Sequence, residues 1–394
     1  MRIFISLSIL QLAIVFSILP WPAYGLQQDA SAQEQLQSIF REAAAAMRDG
    51  HTEEAEKYFR QATELAPNLP EAHLNLGLAQ LKEGKLAEAS TSIEKAIQLD
   101  PRSPGAYMFL GIVDYQMNHI DQAIENLQHE IDANPTNPEA QLWLGIVELA
   151  SGHPEKATGP LDRAAELAPK DLNILDYRGQ AHMKVAKQSY ADMYHLDPRS
   201  WRVHRLNAEI ASESEHYKQA IDEYLTAIHI APREADLYEG LGEEYRKTGA
   251  IDLAENAFAQ QLELTPGNPV AMYNLGSVRV ERGEEETGVP LLLKVVKLYE
   301  KPTVADYYLG RGLAIQGKYD DAISELQRAA TIDGEVQRRS WYEIAQTYRK
   351  MGDIAKAHAA LVKYQQLRQA ADRQSAQQEE DWRKLNTAPP DKTQ

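Results

Sequence analysis

Three residue series run through the first half of this chain in step. Alanine recurs at Ala55, Ala89, Ala123 and Ala157, proline at Pro67, Pro101, Pro135 and Pro169, and glycine at Gly77, Gly111, Gly145 and Gly179, each advancing by 34 residues. A fixed period of this length is the signature of stacked units, each too small to bury its own apolar face. The 394 residues are therefore read as an array. At 34 residues a unit holds two helices and two turns. The prolines end the second helix, where the missing N–H and the ring clash forbid continuation. Gly50, Gly84, Gly152, Gly249, Gly283, Gly317 and Gly352 recur at the inner turn, with Asn118 in that place once. Both residue types accept the left-handed conformation that closes a helix.

The stretch from Tyr238 to Pro266 gives the pattern in full: Tyr238-x2-Leu241-Gly242-x2-Tyr245, then Ala254-x3-Phe258, then Pro266. It resembles one tetratricopeptide repeat, with Tyr in place of Trp. The resemblance covers about residues 36–367 in ten units, starting near Leu36, Pro70, Pro104, Pro138, Leu172, Trp201, Ala235, Pro269, Thr303 and Arg338. It implies an all-α fold, a right-handed α-solenoid of about ten helix–turn–helix repeats with a C-terminal capping helix. The expected organisation is residues 36–171 for repeats one to four, 172–200 for a shortened fifth repeat, and 201–367 for repeats six to ten. Residues 368–394 form the extension of the capping helix and a disordered tail. In repeat five Gly179 stands only seven residues before Ala186, where other units leave twelve, so both of its helices are expected to be short. Repeat six has Ala208 for the glycine and Glu215 at the turn, Pro160 and Pro290 fall inside second helices, and repeat nine ends at Gly334. A change of curvature is expected around residues 180–200.

The N-terminus reads as a secretory signal over residues 1–25. Arg2 is its one charge, an apolar run spans residues 3–19, and Ala23-Tyr24-Gly25 offers small residues for a signal peptidase. Cleavage near Gly25-Leu26 would leave a flexible lead-in over 26–35 and place the protein in the periplasm or outside the cell. The alternative is an uncleaved membrane anchor formed by residues 3–19. The chain has 41 Lys plus Arg against 58 Asp plus Glu, a net charge of −17. That balance argues against nucleic acid or an anionic membrane as the main partner. With no cysteine there is no thiol nucleophile and no Cys-based metal site. The histidines lack ligand spacing, and there is no phosphate loop and no Gly-x-Ser-x-Gly motif. The reading is of a non-catalytic chain with no cofactor and no metal.

The resemblance also implies where a partner would sit. In such arrays positions 2, 5, 9, 12 and 13 of each unit face a concave groove. In repeats two to four these are Leu74, Leu78, Leu81, Met108, Ile112, Tyr115, Leu142, Ile146 and Leu149, an apolar stripe that is closed off if neighbouring helices cover it. In repeats five to seven they are charged but for one amide: Asp176, Gln180, Arg202, Arg205, Glu209, Asp236, Glu239, Glu243 and Arg246. In repeats eight to ten they include Tyr273, Tyr307, Arg311, Tyr342, Gln346 and Arg349, with the three tyrosines expected to form a ladder. The expected ligand is a peptide or helix of a partner protein. Some relatives of this kind hold a peptide's terminal carboxylate with Lys, Asn and Arg over three repeats. Here Asn75 and Asn274 stand in one such place, but Phe40, Ala44, Gly105 and Phe109 surround the first, and Glu239, Glu243, Val304 and Tyr308 the second. The functional expectation is a protein-interaction scaffold acting as an envelope or secretion adaptor. The alternatives are an accessory subunit of an envelope enzyme complex for polysaccharide synthesis or glycosyl transfer, and a module that self-associates through its ends.

Overall fold

In a computed structural model, residues 30–387 are described, with side chains from 31 to 383. The signal-like residues 1–25 and the tail beyond 387 lie outside them. The described residues form nineteen α-helices and no strand. They pair in order as α1 (Ala30–Arg48) with α2 (Thr52–Leu65), α3 (Pro70–Lys82) with α4 (Leu86–Leu99), α5 (Ala106–Gln116) with α6 (Ile120–Ala133), and α7 (Pro138–Ala150) with α8 (Pro154–Leu167). After α9 (Leu172–Leu196) come α10 (Trp201–Glu213) with α11 (Tyr217–Ile230), α12 (Ala235–Lys247) with α13 (Ile251–Leu264), and α14 (Pro269–Arg282) with α15 (Glu285–Val296). The last pairs are α16 (Val304–Ile315) with α17 (Tyr319–Ala329) and α18 (Glu335–Met351) with α19 (Ile354–Thr387). The chain divides into two compact units, residues 1–192 and 193–394, and the division falls inside α9.

The periodic residues do what their chemistry requires. The inner-turn glycines have φ between 76° and 87°, and Asn118 (65°) and Glu215 (60°) take the same left-handed conformation without being glycine. The alanines of the second helices, Ala55, Ala89, Ala123, Ala157 and Ala254, are all 0% exposed. In repeats two to four and seven to nine the crossing is closed by a glycine facing an apolar side chain. A Cβ added at Gly77 would lie 2.6 Å from Ile93, at Gly111 2.8 Å from Leu127, at Gly145 2.4 Å from Leu161 and at Gly242 2.4 Å from Phe258. Pro160 and Pro290 lie inside α8 and α15, which continue past them. Two polar clusters staple neighbouring repeats. Glu56 meets Arg60 and Lys85 at 2.6 Å each and accepts from Gln80 at 3.3 Å. Glu255 meets Arg279 at 3.0 Å and Arg282 at 2.7 Å.

Three expectations are corrected. Repeat five is not a pair of shortened helices but the single 25-residue helix α9. With the inner turn deleted, no Gly or Asn stands between Gly179 and Leu196 to take a left-handed φ, and Ala, Met, Lys and Gln favour continuation there. The lead-in assigned to 26–35 is helical from Ala30, because Ala, Gln and Glu extend the helix upstream of Leu36. Finally, α18 begins at Glu335 rather than Arg338. Gly334 (φ 89°, ψ −136°) makes a glycine-only bend that starts the helix one turn early.

Candidate partner-binding face

The apolar stripe of repeats two to four is not an open groove. Leu74, Leu78, Leu81, Met108, Ile112, Leu142, Ile146 and Leu149 are each exposed by 8% or less, and Tyr115 is half-buried. All belong to or pack against one core that runs through α3 to α9. First helix packs on first helix, α3 on α5 and α5 on α7, so these side chains close the face on itself. Asn137 Nδ2 approaches Met108 Sδ at 3.9 Å, and the rings of Tyr115 and Trp143 stand 6.3 Å apart. The signal was in the sequence. Phe109 to Val113 and Trp143 to Val147 are apolar on every side of their helices, and a helix that is apolar all round is a buried one. Asn75 is buried, donating to the Glu71 carbonyl at 2.8 Å, and Asn274 is buried, donating to Gln261 at 3.3 Å.

The second unit is built differently. Its first helices α10, α12, α14, α16 and α18 are joined across each junction by charged groups and tyrosines. Arg205 of α10 bonds Asp236 of α12 at 3.0 Å and lies 3.4 Å from Glu209 on its own helix. The Arg202 guanidinium sits 4.3 Å over the Trp201 ring. On α12, Glu239 accepts from Gln261 at 2.6 Å, and burial pushes its carboxyl above the ordinary value despite that bond. Glu243 lies 3.5 Å from Arg246, which reaches Glu281 of α14 at 3.8 Å. Glu281 accepts from the Tyr308 hydroxyl of α16 at 2.8 Å. Burial, then the neighbouring Glu281 carboxylate, raises the Tyr308 phenol far above its usual range, so it stays a neutral donor. Asp176 and Gln180 lie in the first unit, where Gln180 donates to Asp176 at 2.9 Å.

The expected ladder of Tyr273, Tyr307 and Tyr342 is replaced by a different cluster. Tyr273 meets Tyr308 edge-on at 6.0 Å, and Tyr308 meets Tyr307 at 5.1 Å. Arg339 of α18 then covers Tyr307 at 4.6 Å and Tyr308 at 5.9 Å. Tyr342 turns instead to Tyr364 of α19, 5.5 Å away. The reason is reach. Equivalent sites on successive first helices are a full helix diameter apart, so a second ring or a guanidinium must bridge them. Arg311 of α16 faces Glu343 of α18 at 3.9 Å. Of the bridging residues, Arg339 and Glu281 occupy positions 2 and 13 of their units and were legible from register. Tyr308 and Glu343 are both at position 6, which the groove assignment does not include.

Tetratricopeptide repeat models match residues 40–104, 110–171, 205–269 and 339–370. Anaphase-promoting complex subunit 3 of Schizosaccharomyces pombe is 26% identical over 137 residues, 35% of this chain and 21% of that protein. The CTR9 homolog of Arabidopsis thaliana is 25% identical over 147 residues, 36% of this chain and 14% of that protein. The chain thus spans about a fifth or less of the length of these relatives. Among solved structures, a likeness of fold alone is seen with pilF of Pseudomonas aeruginosa (17% identical, 64% of this chain and 99% of that one, TM-score 0.35). The same holds for a repeat protein of Parabacteroides merdae (16% identical, 71% and 99%, TM-score 0.33). The helix pairs, the glycine-closed crossings and the family models, which together match more than half of the chain, lead to one conclusion: the chain belongs to the tetratricopeptide repeat family.

Proposed function

We propose that this protein is a non-catalytic interaction scaffold whose binding face is the charged, tyrosine-bearing side of the first helices in the second unit. The observation that carries the reading is a contrast between equivalent positions. In repeats two to four they are closed into the core, whereas Arg205 (39% exposed), Glu243 (39%) and Tyr342 (43%) stay open to solvent. Arginine and tyrosine are the side chains that anchor protein interfaces, offering rigid area and directional donors. The residues on α10 to α18 hold each other through inter-helix bonds, so the face is organised before a partner arrives, which lowers the entropy cost of binding. The sequence of residues 1–25 supports placing this scaffold outside the cytoplasm as an envelope or secretion adaptor, with residue 26 as the mature N-terminus.

A photo-crosslinking amino acid placed at Tyr342 or Glu243 in cells tests the reading. Both should capture one protein in common, which the same group at Lys57 in the first unit does not capture. If the three positions give the same products, the face is not the binding surface. Mass spectrometry of the purified protein's N-terminus tests export: a chain still beginning at Met1 contradicts cleavage.

A further inference from the structure

Repeat five carries both parts of a repeat crossing on a helix that never turns back. In a complete repeat a glycine of the first helix meets an apolar side chain of the second, as Gly111 meets Leu127. That side chain follows the buried alanine of its helix by four residues, as Leu127 follows Ala123. Repeat five has Gly179 in the glycine's place and Ala186-x3-Tyr190 in the place of the second pair. Gly111 and Ala123 are twelve residues apart, with a helix end and a turn between them, whereas Gly179 and Ala186 are only seven apart. The single helix α9 runs on through both.

Both halves of this crossing are therefore open. A Cβ at Gly179 would find nothing within 4 Å. Ala186 is exposed, although its counterparts Ala123 and Ala157 are 0% exposed. Leu172, Met183 and Tyr190 are exposed too, Met183 by 72%. Leu172, Gly179, Met183, Ala186 and Tyr190 are spaced i, i+7, i+11, i+14 and i+18, one line along five turns of helix. All lie in the first unit. The opposite side of α9 is already used, since Ile174 and Ala181 belong to the core of that unit. A helix that is apolar on two opposite sides needs cover on both.

We propose that the cover is α9 of a second copy of this chain, laid antiparallel so that Gly179 of each protomer faces Ala186 and Tyr190 of the other. The chain cannot supply the crossing to itself. Seven residues leave no room for a helix end, a turn and a new helix start, and no Gly or Asn follows Gly179 within α9 to take a left-handed turn. A two-fold axis completes two crossings at once, because an interface that sets Gly179 on Tyr190 also sets Tyr190 on Gly179. The axis passes near Met183, which meets its own counterpart. Charge agrees with the antiparallel direction. Asp176 stands in the first half of α9, bonded only by Gln180, and Lys184 and Lys187 stand in the second half with no carboxylate partner among the described residues. Arg178 and His182 are already held by Asp162, at 2.6 and 3.0 Å. The line from Leu172 to Tyr190 is about 27 Å long at 1.5 Å per residue. One helix pair of that length is a small interface, so the dimer should dissociate in the micromolar range. This contact is separate from the binding face of the second unit and does not depend on it.

The test uses the full chain, which has no cysteine of its own. Sedimentation equilibrium across the micromolar range should show monomer passing to dimer. Tyr190→Glu should weaken the dimer at least about tenfold, and Lys57→Glu, at an exposed site on α2, should stay within about twofold. Gly179→Ala should weaken it several-fold, because the added methyl meets the partner's tyrosine ring; below the dissociation constant this substitution acts on the single chain alone. Under mild oxidation Met183→Cys should give a disulfide-linked dimer. Tyr190→Cys should not, since the two-fold axis sets its two copies more than about 15 Å apart. A chain that stays monomeric throughout overturns the proposal, and so does a dimer that Tyr190→Glu and Lys57→Glu weaken equally. Crosslinking of Tyr190→Cys as fast as Met183→Cys overturns the antiparallel crossing. A monomer in which the thiol of Met183→Cys resists alkylation also overturns the proposal, by placing another segment of the same chain on α9.

Discussion

Gly179 and Gly242 occupy the same position of their repeats, and the structure predicts opposite responses to one methyl group. Alanine is more favourable than glycine in a helix interior by about 0.8–1 kcal/mol. At Gly179, inside α9, a new Cβ finds nothing within 4 Å. Gly179→Ala should therefore stabilise by about 0.5–1 kcal/mol. At Gly242 the Cβ would stand 2.4 Å from Cε1, 2.7 Å from Cδ1 and 2.8 Å from Cζ of Phe258, a ring that is 0% exposed. Overpacking of this kind costs about 1–3 kcal/mol. After subtracting the helix gain, Gly242→Ala should destabilise by about 1 kcal/mol. The two substitutions thus differ by about 2 kcal/mol with the same chemical change. Denaturant titration followed by circular dichroism measures both, and hydrogen exchange in α12 and α13 localises the second. A double variant, Gly242→Ala with Phe258→Leu, should recover part of the sum of the single costs, giving a coupling of about 1 kcal/mol. If Gly242→Ala is as stabilising as Gly179→Ala, the close crossing of α12 and α13 does not exist as described.

Three further outcomes follow from other sites. Glu215 holds φ 60° at the inner turn of repeat six, so Glu215→Gly should raise stability by about 0.5–1 kcal/mol, read from the denaturation midpoint. Burial alone would raise the Glu56 carboxyl, but bonds from Lys85, Gln80 and Arg60 outweigh it and hold it at about 2. A depressed folded value means the stabilisation is complete above the ordinary value of 4.5 and is lost as pH falls towards 2. The stability advantage of wild type over Glu56→Gln should accordingly be constant near neutrality and shrink between those two pH values; an advantage independent of pH would contradict the pairing. Asp306 is 0% exposed, caps α16 jointly with Thr303, and bonds Arg328 at 2.7 Å, so Asp306→Ala should cost about 2 kcal/mol in thermal or chemical unfolding.

The repeat architecture was legible because the residues that create it act locally. A left-handed turn needs Gly or Asn wherever it occurs, a close crossing needs a residue without a side chain, and a helix stop needs proline. Gly179 shows the limit of such reading. It keeps perfect register with Gly77, Gly111 and Gly145, yet it faces nothing, because the deletion after it removed the turn that would have brought a second helix back. Repeat six shows a second limit. Ala208 replaces its glycine, and the Tyr224 ring lies instead at Gly240 of the next repeat, where an added Cβ would be 2.3 Å from Cζ. Buried there, the Tyr224 phenol is pushed up to about 12. Gly240 belongs to none of the periodic series, since its role depends on a ring from another repeat.

The sequence by itself determined the repeat length, the all-helical class, the crossings and the turns, because each follows from the conformational limits of single residues at a fixed spacing. Only the tertiary structure decided which groove positions remain open. Leucine, isoleucine and methionine at the groove sites of repeats two to four let α3, α5 and α7 close on one another and vanish into the core. Arginine and glutamate at the same sites of the second unit, with Tyr342, keep part of their side chains open to solvent, while Tyr307 is buried in the α14 to α18 core. Whether a side chain seals a junction or borders a binding face depends on what the neighbouring helix brings to meet it, and that partner lies a full repeat away in sequence.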